Sequence, residues 1–328
     1  MMYLQLVAGL VVLMGAAEIM IRGAVGLARI FGLSPLLIGM TVVALGTSAP
    51  ELVVSLDAAL TGNPGLATGN IVGSNIANVL LIVGAAALLA PMAKRKSKLY
   101  RDGALLLICS ALFVMLCWGG ELDLPKGALL VIIFAVFIGS AYWRDINDPG
   151  ASAERVEEVE EIGKVPEKAW VAWAAAIGGL AGIALGADLM VTGGVSIART
   201  MGLGEEVIGL TLIAIGTSLP ELAASVVAAR RGHADVAIGN VVGSNMFNML
   251  AIAGVVSMAA PLPVPTTMLA FDLWVMLGAA VLIIPAMFGW IGISRLGGVV
   301  LLVLYGAYLV AQVLGVPDVV ADKLGEIL

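Results

Sequence analysis

The chain has 328 residues, of which 61% are hydrophobic and 12% charged, whereas a soluble globular domain carries roughly 25% charged residues. That composition excludes a soluble protein and marks an integral membrane protein whose solvent is the lipid bilayer. A net charge of −6 supplies no basic face for nucleic acid.

Apolar blocks fall at 3–30, 36–61, 66–91, 101–118 and 127–143, and again at 169–198, 206–230, 235–259, 268–290 and 296–314. Blocks of about 20 residues cross a hydrocarbon core of about 30 Å as helices. The expected fold is therefore an all-α membrane protein with ten transmembrane helices. The first block resembles a signal peptide, but it is too long and carries Glu18, so it is read as helix 1. Cys109 and Cys117 sit in the fourth block and read as core residues. The segment 144–168, with eight acidic and four basic residues, reads as a solvated linker.

The two halves are copies of one another. Gly46-Thr47-Ser48-Ala49-Pro50-Glu51 returns 170 residues later as Gly216-Thr217-Ser218-Leu219-Pro220-Glu221, and Gly69-Asn70-Ile71-Val72-Gly73-Ser74-Asn75 returns as Gly239-Asn240-Val241-Val242-Gly243-Ser244-Asn245. The same ungapped shift pairs Glu18 with Asp188, Asn78 with Asn248, and Asp102 with Asp272. Expected domains are a first five-helix repeat over 1–143, the linker 144–168, and a second repeat over 169–328. Five crossings per copy require the second to enter the membrane from the opposite side, so the repeats are expected to be inverted. Lys94-Arg95-Lys96-Ser97-Lys98 corresponds to the uncharged Val264-Pro265-Thr266-Thr267-Met268, which agrees with opposite sides. Assigning basic residues by loop leaves Lys126, Arg199 and Lys323 against the other fourteen. The positive-inside rule then puts both termini outside and the linker in the cytoplasm of a multi-pass cell-membrane protein. Inverted repeats of this kind are the architecture of secondary transporters, with binding sites on interrupted helices where the repeats meet.

The duplicated motifs supply the chemistry. Pro50 and Pro220 each remove a backbone donor within a helix, which frees carbonyls near Gly46 and Gly216, and in a bilayer a freed carbonyl must be satisfied by protein, water or a cation. Thr47, Glu51 and Ser55 share a helix face, as do Thr217, Glu221 and Ser225. The next helix offers the stripe Asn70, Ser74 and Asn78, mirrored by Asn240, Ser244 and Asn248, and its glycines 69, 73, 239 and 243 allow close helix contact. All of these are hard oxygen donors, suited to Ca²⁺ or Na⁺ and unsuited to Zn²⁺ or Cu⁺. Two ionised glutamates within a membrane demand neutralisation, by one divalent cation, by monovalent cations or by protons. Glu18 and Asp188 are expected to pair with Arg22 or with polar groups on neighbouring helices. Asp102 and Asp272 are expected to begin helices and to complement their dipoles. A hydrolase built on Ser74 or Ser244 lacks an intramembrane His or Lys partner, and a channel would gather symmetric subunits around a pore.

Gly-Thr-Ser-x-Pro-Glu followed by Gly-Asn-x-Val-Gly-Ser-Asn-x-x-Asn, in two copies, resembles the calcium/cation antiporter superfamily, and most closely its prokaryotic sodium/calcium exchanger branch. The resemblance covers nearly the whole chain. It implies a non-enzymatic antiporter with no cofactor, in which Glu51 and Glu221 hold Ca²⁺ and Thr47 and Thr217 join them through backbone oxygen. By the same resemblance, Ser48, Ser74, Ser218 and Ser244, with the carbonyls of Ala44 and Ala214, form flanking Na⁺ sites, and Asn78 and Asn248 complete the central ring. One position departs from the pattern: familiar sodium/calcium exchangers carry Asp where this chain has Asn248. Coupling to Na⁺, H⁺ or K⁺ stays open on that account, and so does the oligomeric state.

Overall fold

The computed structural model describes residues 2–33, 35–92, 99–147, 166–200 and 214–327. The basic stretch 94–98, most of the linker and the start of the block 206–230 lie outside the described residues. Helices are α1 (Met2–Phe31), α2 (Gly39–Thr47), α3 (Ala49–Leu60), α4 (Pro64–Leu89), α5 (Tyr100–Cys117), α6 (Leu124–Asn147) and α7 (Ala169–Thr200). They continue as α8 (Ala214–Thr217), α9 (Leu219–Arg230), α10 (Ala234–Ala259), α11 (Met268–Met287), α12 (Arg295–Val313) and α13 (Val316–Ile327). Eight helices among the described residues are long and apolar enough to cross a membrane, or nine if the bent pair α2–α3 counts as one span. The chain is thus a multi-pass helical membrane protein, with fewer full spans among the described residues than the ten expected.

Two compact units are present, and each draws on both halves of the sequence: Met1–Pro50 with Ile138–Gly243, and Glu51–Phe137 with Ser244–Leu328.

In the first unit α1 lies along α7. The contact is made by small residues: a Cβ on Gly179 would stand 2.5 Å from the Met20 nitrogen, and one on Gly186 would stand 2.5 Å from the Leu13 nitrogen. Dispersion between closely approaching backbones holds membrane helices together where the hydrophobic effect offers nothing over lipid. Glu18 on α1 forms an ion pair with Arg22 one turn on (Nε to Oε1, 2.6 Å) and with Arg231 at the end of α9 (Nε to Oε2, 2.8 Å), as the sequence leads one to expect for Glu18. Asp188, its counterpart, is exposed and makes no ion pair among the described residues. The start of α10 presses on α2, and a Cβ on Gly243 would meet the Met40 carbonyl oxygen at 2.6 Å. Close approach is thus found at Gly243, whereas a Cβ built on Gly69 or Gly73 meets no described atom of a neighbouring element within 4 Å.

In the second unit α4 packs on α12 through Gly84 and Gly298, and α5 packs on α11, with Trp118 and Trp274 edge-to-face at 6.2 Å. Loop ends are tied by two short strands that the apolar pattern does not reveal, β1 (Glu121–Leu122) and β2 (Leu262–Pro263), paired antiparallel. A single bridge joins Met92 and Ile293. Cys109 and Cys117 are buried and unbridged, as core residues should be. Asp272 corrects an expectation. It does not open its helix but lies a turn inside α11, buried, where it accepts hydrogen bonds from the Tyr308 hydroxyl (3.0 Å) and from Gln312 Nε2. A carboxylate at that depth needs donors, and α12 provides them. Asp102 does stand in the first turn of α5.

Candidate functional site

Both proline motifs break their helices at the same place. Ser48 has φ −87° and ψ 6°, and Ser218 has φ −90° and ψ 2°, the sparsely populated bridge region. The cause lies two residues on, where Pro50 and Pro220 have no N–H to continue the ladder. At the first break the Ser48 nitrogen closes the last turn on the Ala44 carbonyl at 2.9 Å, and the chain bends by 47° into α3. Glu51 and Glu221 therefore sit in the first turn of α3 and α9, each 2% exposed or less.

Within the second unit, Asn70 on α4 clamps the Glu51 turn. Its Nδ2 donates to Ser55 Oγ at 2.9 Å and to the Glu51 backbone carbonyl at 3.4 Å. Within the first unit, Asn240 on α10 does the same to Glu221, donating to Ser225 Oγ at 2.9 Å and to the Glu221 carbonyl at 3.4 Å. The clamp is the same in both copies, bond for bond. One amide thus fixes the rotation of each glutamate-bearing turn and satisfies a hydroxyl that would otherwise be buried without a donor.

The first unit adds contacts across the repeat. Ser48 Oγ donates to Glu221 Oε1 at 2.8 Å, and Thr47 Oγ1 reaches Asn240 Oδ1 at 3.3 Å and the Ala44 carbonyl at 3.4 Å. Thr47, Ser48, Glu221 and Asn240 are therefore one bonded cluster. Ser218 is buried, and its Oγ has no hydrogen-bond partner among the described residues. Thr217 closes α8, which begins at Ala214.

In the second unit, Ser74 and Asn78 on α4 and Ser244 and Asn248 on α10 are all buried. Asn78 opens a π-helical stretch over Asn78–Val83, and Asn248 lies in another over Phe247–Ile252, a widening of the turn that is frequent at functional sites. Asn78 Nδ2 donates to Asn245 Oδ1 at 2.9 Å. Neither amide atom of Asn248 has a partner among the described residues. The sequence marks Asn75 and Asn245 only as motif letters, and their place beside the stripe shows once α4 and α10 are folded.

Buried carboxylates on broken helices, each on a turn clamped by an Asn of the same motif copy and built twice, fit a membrane transporter of cations. The family model described as sodium/calcium exchanger protein matches residues 1–143 and 171–314. CaxA of Alkalimonas amylolytica is 38% identical over 310 residues, covering 92% of this chain and 95% of that one. The sodium/calcium exchanger MaX1 of Methanosarcina acetivorans is 37% identical over 346 residues, covering 94% and 97%. Among solved structures, the sodium-calcium exchanger NCX_Mj superposes with a TM-score of 0.81 at 28% identity, over 94% of this chain and 97% of that one. The chain belongs to the sodium/calcium exchanger family and is a cation antiporter.

Proposed function

We propose that the protein exchanges Na⁺ for Ca²⁺ by alternating access, with Glu51 and Glu221 together binding one Ca²⁺. The observation that carries this reading is the repeated clamp: two buried glutamates, each on a turn held by the same pair of bonds from one Asn amide, to a Ser hydroxyl and to the glutamate's own backbone carbonyl. A buried charge on a transmembrane helix costs about 2.5–3.5 kcal/mol on insertion scales. A chain that bears that cost twice, in mirrored form, is built to have it cancelled by a cation. Two carboxylates match the charge of one Ca²⁺, and the surrounding hydroxyl, amide and carbonyl oxygens complete a shell of the 6–8 donors that ion takes.

In this reading Thr47 and Thr217 contribute backbone oxygen, and Asn78 and Asn248 add amide oxygens. Ser48, Ser74, Ser218 and Ser244, with the carbonyls of Ala44 and Ala214, bind the Na⁺ that replaces Ca²⁺. Repeats 1–143 and 169–328 are inverted, the linker 144–168 is cytoplasmic, and both termini are outside. Labelling of single cysteines at 150–160 and 264–267 tests that arrangement, since reaction of both from one side would remove the inversion.

A second reading rests on Asn248. With an amide in both copies the site holds one potential carboxylate fewer than the familiar exchangers, and protons, or K⁺ moving with Ca²⁺, become the rival coupling. Proteoliposome uptake of ⁴⁵Ca²⁺ decides between them. An outward Na⁺ gradient should drive uptake with no pH gradient present. Uptake that follows only a pH gradient, or that requires K⁺, would replace Na⁺/Ca²⁺ exchange with the rival.

A further inference from the structure

Asn75 and Asn245 end the second motif in each copy and stand outside the ligand set proposed above, yet they are 1% and 3% exposed. With Asn78 and Asn248, both 1% exposed, they place four amides within the second unit. An amide has two unlike ends. Its oxygen coordinates a cation, whereas its NH₂ group carries only donors and repels one. The two ends are nearly the same in shape, so packing does not choose between them. A hydrogen bond must.

At Asn78 the choice is made by Asn245. Asn78 Nδ2 is engaged by Asn245 Oδ1 at 2.9 Å, which leaves Asn78 Oδ1 buried and with no hydrogen-bond partner among the described residues. The direction of that bond agrees with the other copy. Asn75 Nδ2 donates to the Ile71 carbonyl at 2.7 Å, which only the NH₂ end can do, so the last Asn of the motif there leaves its oxygen buried and unengaged among the described residues. Asn245, at the same motif position, also offers its oxygen, and Asn78 takes it. Asn248, the repeat counterpart of Asn78, has no such bond among the described residues.

We propose that Asn245 is a positioning residue for cation binding: by accepting from Asn78 Nδ2 it compels Asn78 to present its oxygen, and never its NH₂ group, to Ca²⁺. The proposal rests on the reading of Asn78 as a ligand. Removing the acceptor frees the Asn78 amide to rotate, and the rotated form offers the ion a donor in place of an oxygen.

The test compares Asn245→Ala in two backgrounds by ⁴⁵Ca²⁺ transport in proteoliposomes. With Asn78 present, Asn245→Ala should raise KM for Ca²⁺ by about tenfold and leave the maximal rate within about twofold, the pattern of lost uniform binding. With Asn78→Asp, whose two oxygens are equivalent, no wrong orientation exists, and the added Asn245→Ala should change KM by less than about twofold. Equal increases in both backgrounds would overturn the proposal, because a merely structural Asn245 would matter equally to each. Asn78→Ala separates the underlying reading. An unchanged KM there would remove Asn78 as a ligand and the proposal with it, whereas a raised KM keeps the reading whatever Asn245 does. Asn245→Ser, a milder change whose shorter hydroxyl does not span the gap, repeats the comparison if the alanine variant fails to insert.

Discussion

The two copies of the duplicated motif agree where they hold the glutamates and part company around them. Asn70 and Asn240 make the same two bonds at the same lengths, and Ser48 and Ser218 break their helices at nearly the same dihedral angles. By contrast, Glu18 is bound to two arginines, while at the positions that would serve Asp188 the shift places Thr192 and Thr61. Asp272 is held by Tyr308 and Gln312 within α11, while Asp102 sits in the first turn of α5. Asn78 is bonded and Asn248 is not, among the described residues. The difference separates two jobs. The amide clamp on each glutamate-bearing turn is kept equal, whereas the bonds around it, from the Ser48 donation to Glu221 that Ser218 does not repeat among the described residues to the anchors of Glu18 and Asp272, have drifted.

If so, damage to the equal part should be symmetric and damage to the drifted part should not. The largest effect is expected from Glu51→Gln and Glu221→Gln, each of which removes half of the proposed binding charge: ⁴⁵Ca²⁺ transport should fall by about 100-fold or more in each, with normal membrane insertion. A variant that inserts normally and transports at near the parental rate would show that its carboxylate is not part of the site. Next come Asn70→Ala and Asn240→Ala. Loss of one clamp leaves a buried Ser hydroxyl and a glutamate turn unsupported, at about 1–3 kcal/mol, so KM for Ca²⁺ should rise about 5- to 150-fold, and by similar factors in the two variants. Strongly unequal factors would break the equivalence of the half-sites.

Asn248→Asp should act more gently. A third carboxylate near two others favours the protonated form, so Ca²⁺ flux should become more sensitive to acid between about pH 6 and 8. An unchanged profile with transport intact would place Asn248 beyond electrostatic reach of the glutamates. The smallest effect belongs to the drifted region. Glu18→Gln removes an ion pair whose arginines are half exposed, a change on the order of 0.2–1 kcal/mol, read as a drop in melting temperature that high salt also produces in the parent. Asp188→Asn should produce none. Equal destabilisation by the two would show that the asymmetry of anchoring is not real.

Much of this was legible in the sequence because the bilayer enforces it. Apolar length marks the spans, a helix proline marks a break, and a repeated carboxylate among apolar residues marks the candidate site. The stripe Asn70, Ser74, Asn78 follows from 3.6-residue spacing along α4, whereas the expected face of Thr47, Glu51 and Ser55 is interrupted, because Thr47 closes α2 and the break at Ser48 turns Glu51 and Ser55 away on α3. Helix boundaries were less legible: Asp272 reads as a first residue only if α11 starts there, whereas its helix begins a turn earlier. The bonds of Ser48 to Glu221, Thr47 to Asn240, Asn78 to Asn245 and Glu18 to Arg231 join residues more than 160 positions apart. No local periodicity encodes such pairs, since they depend on how helices cross. The strands β1 and β2 are two residues long, too short to leave an alternating pattern, and α13 follows a span so closely that it reads as a tail.

The central claim is that two half-sites serve one ion, and the number of ions bound tests it most directly. Calorimetric titration of the detergent-solubilised protein with Ca²⁺ in the absence of Na⁺ should give about one high-affinity ion per chain, and that event should vanish in Glu51→Gln and in Glu221→Gln alike, because one carboxylate balances only half of the charge of Ca²⁺. Two ions per chain in the parent, falling to one in each single variant, would mean that each glutamate owns a separate site and would contradict the account.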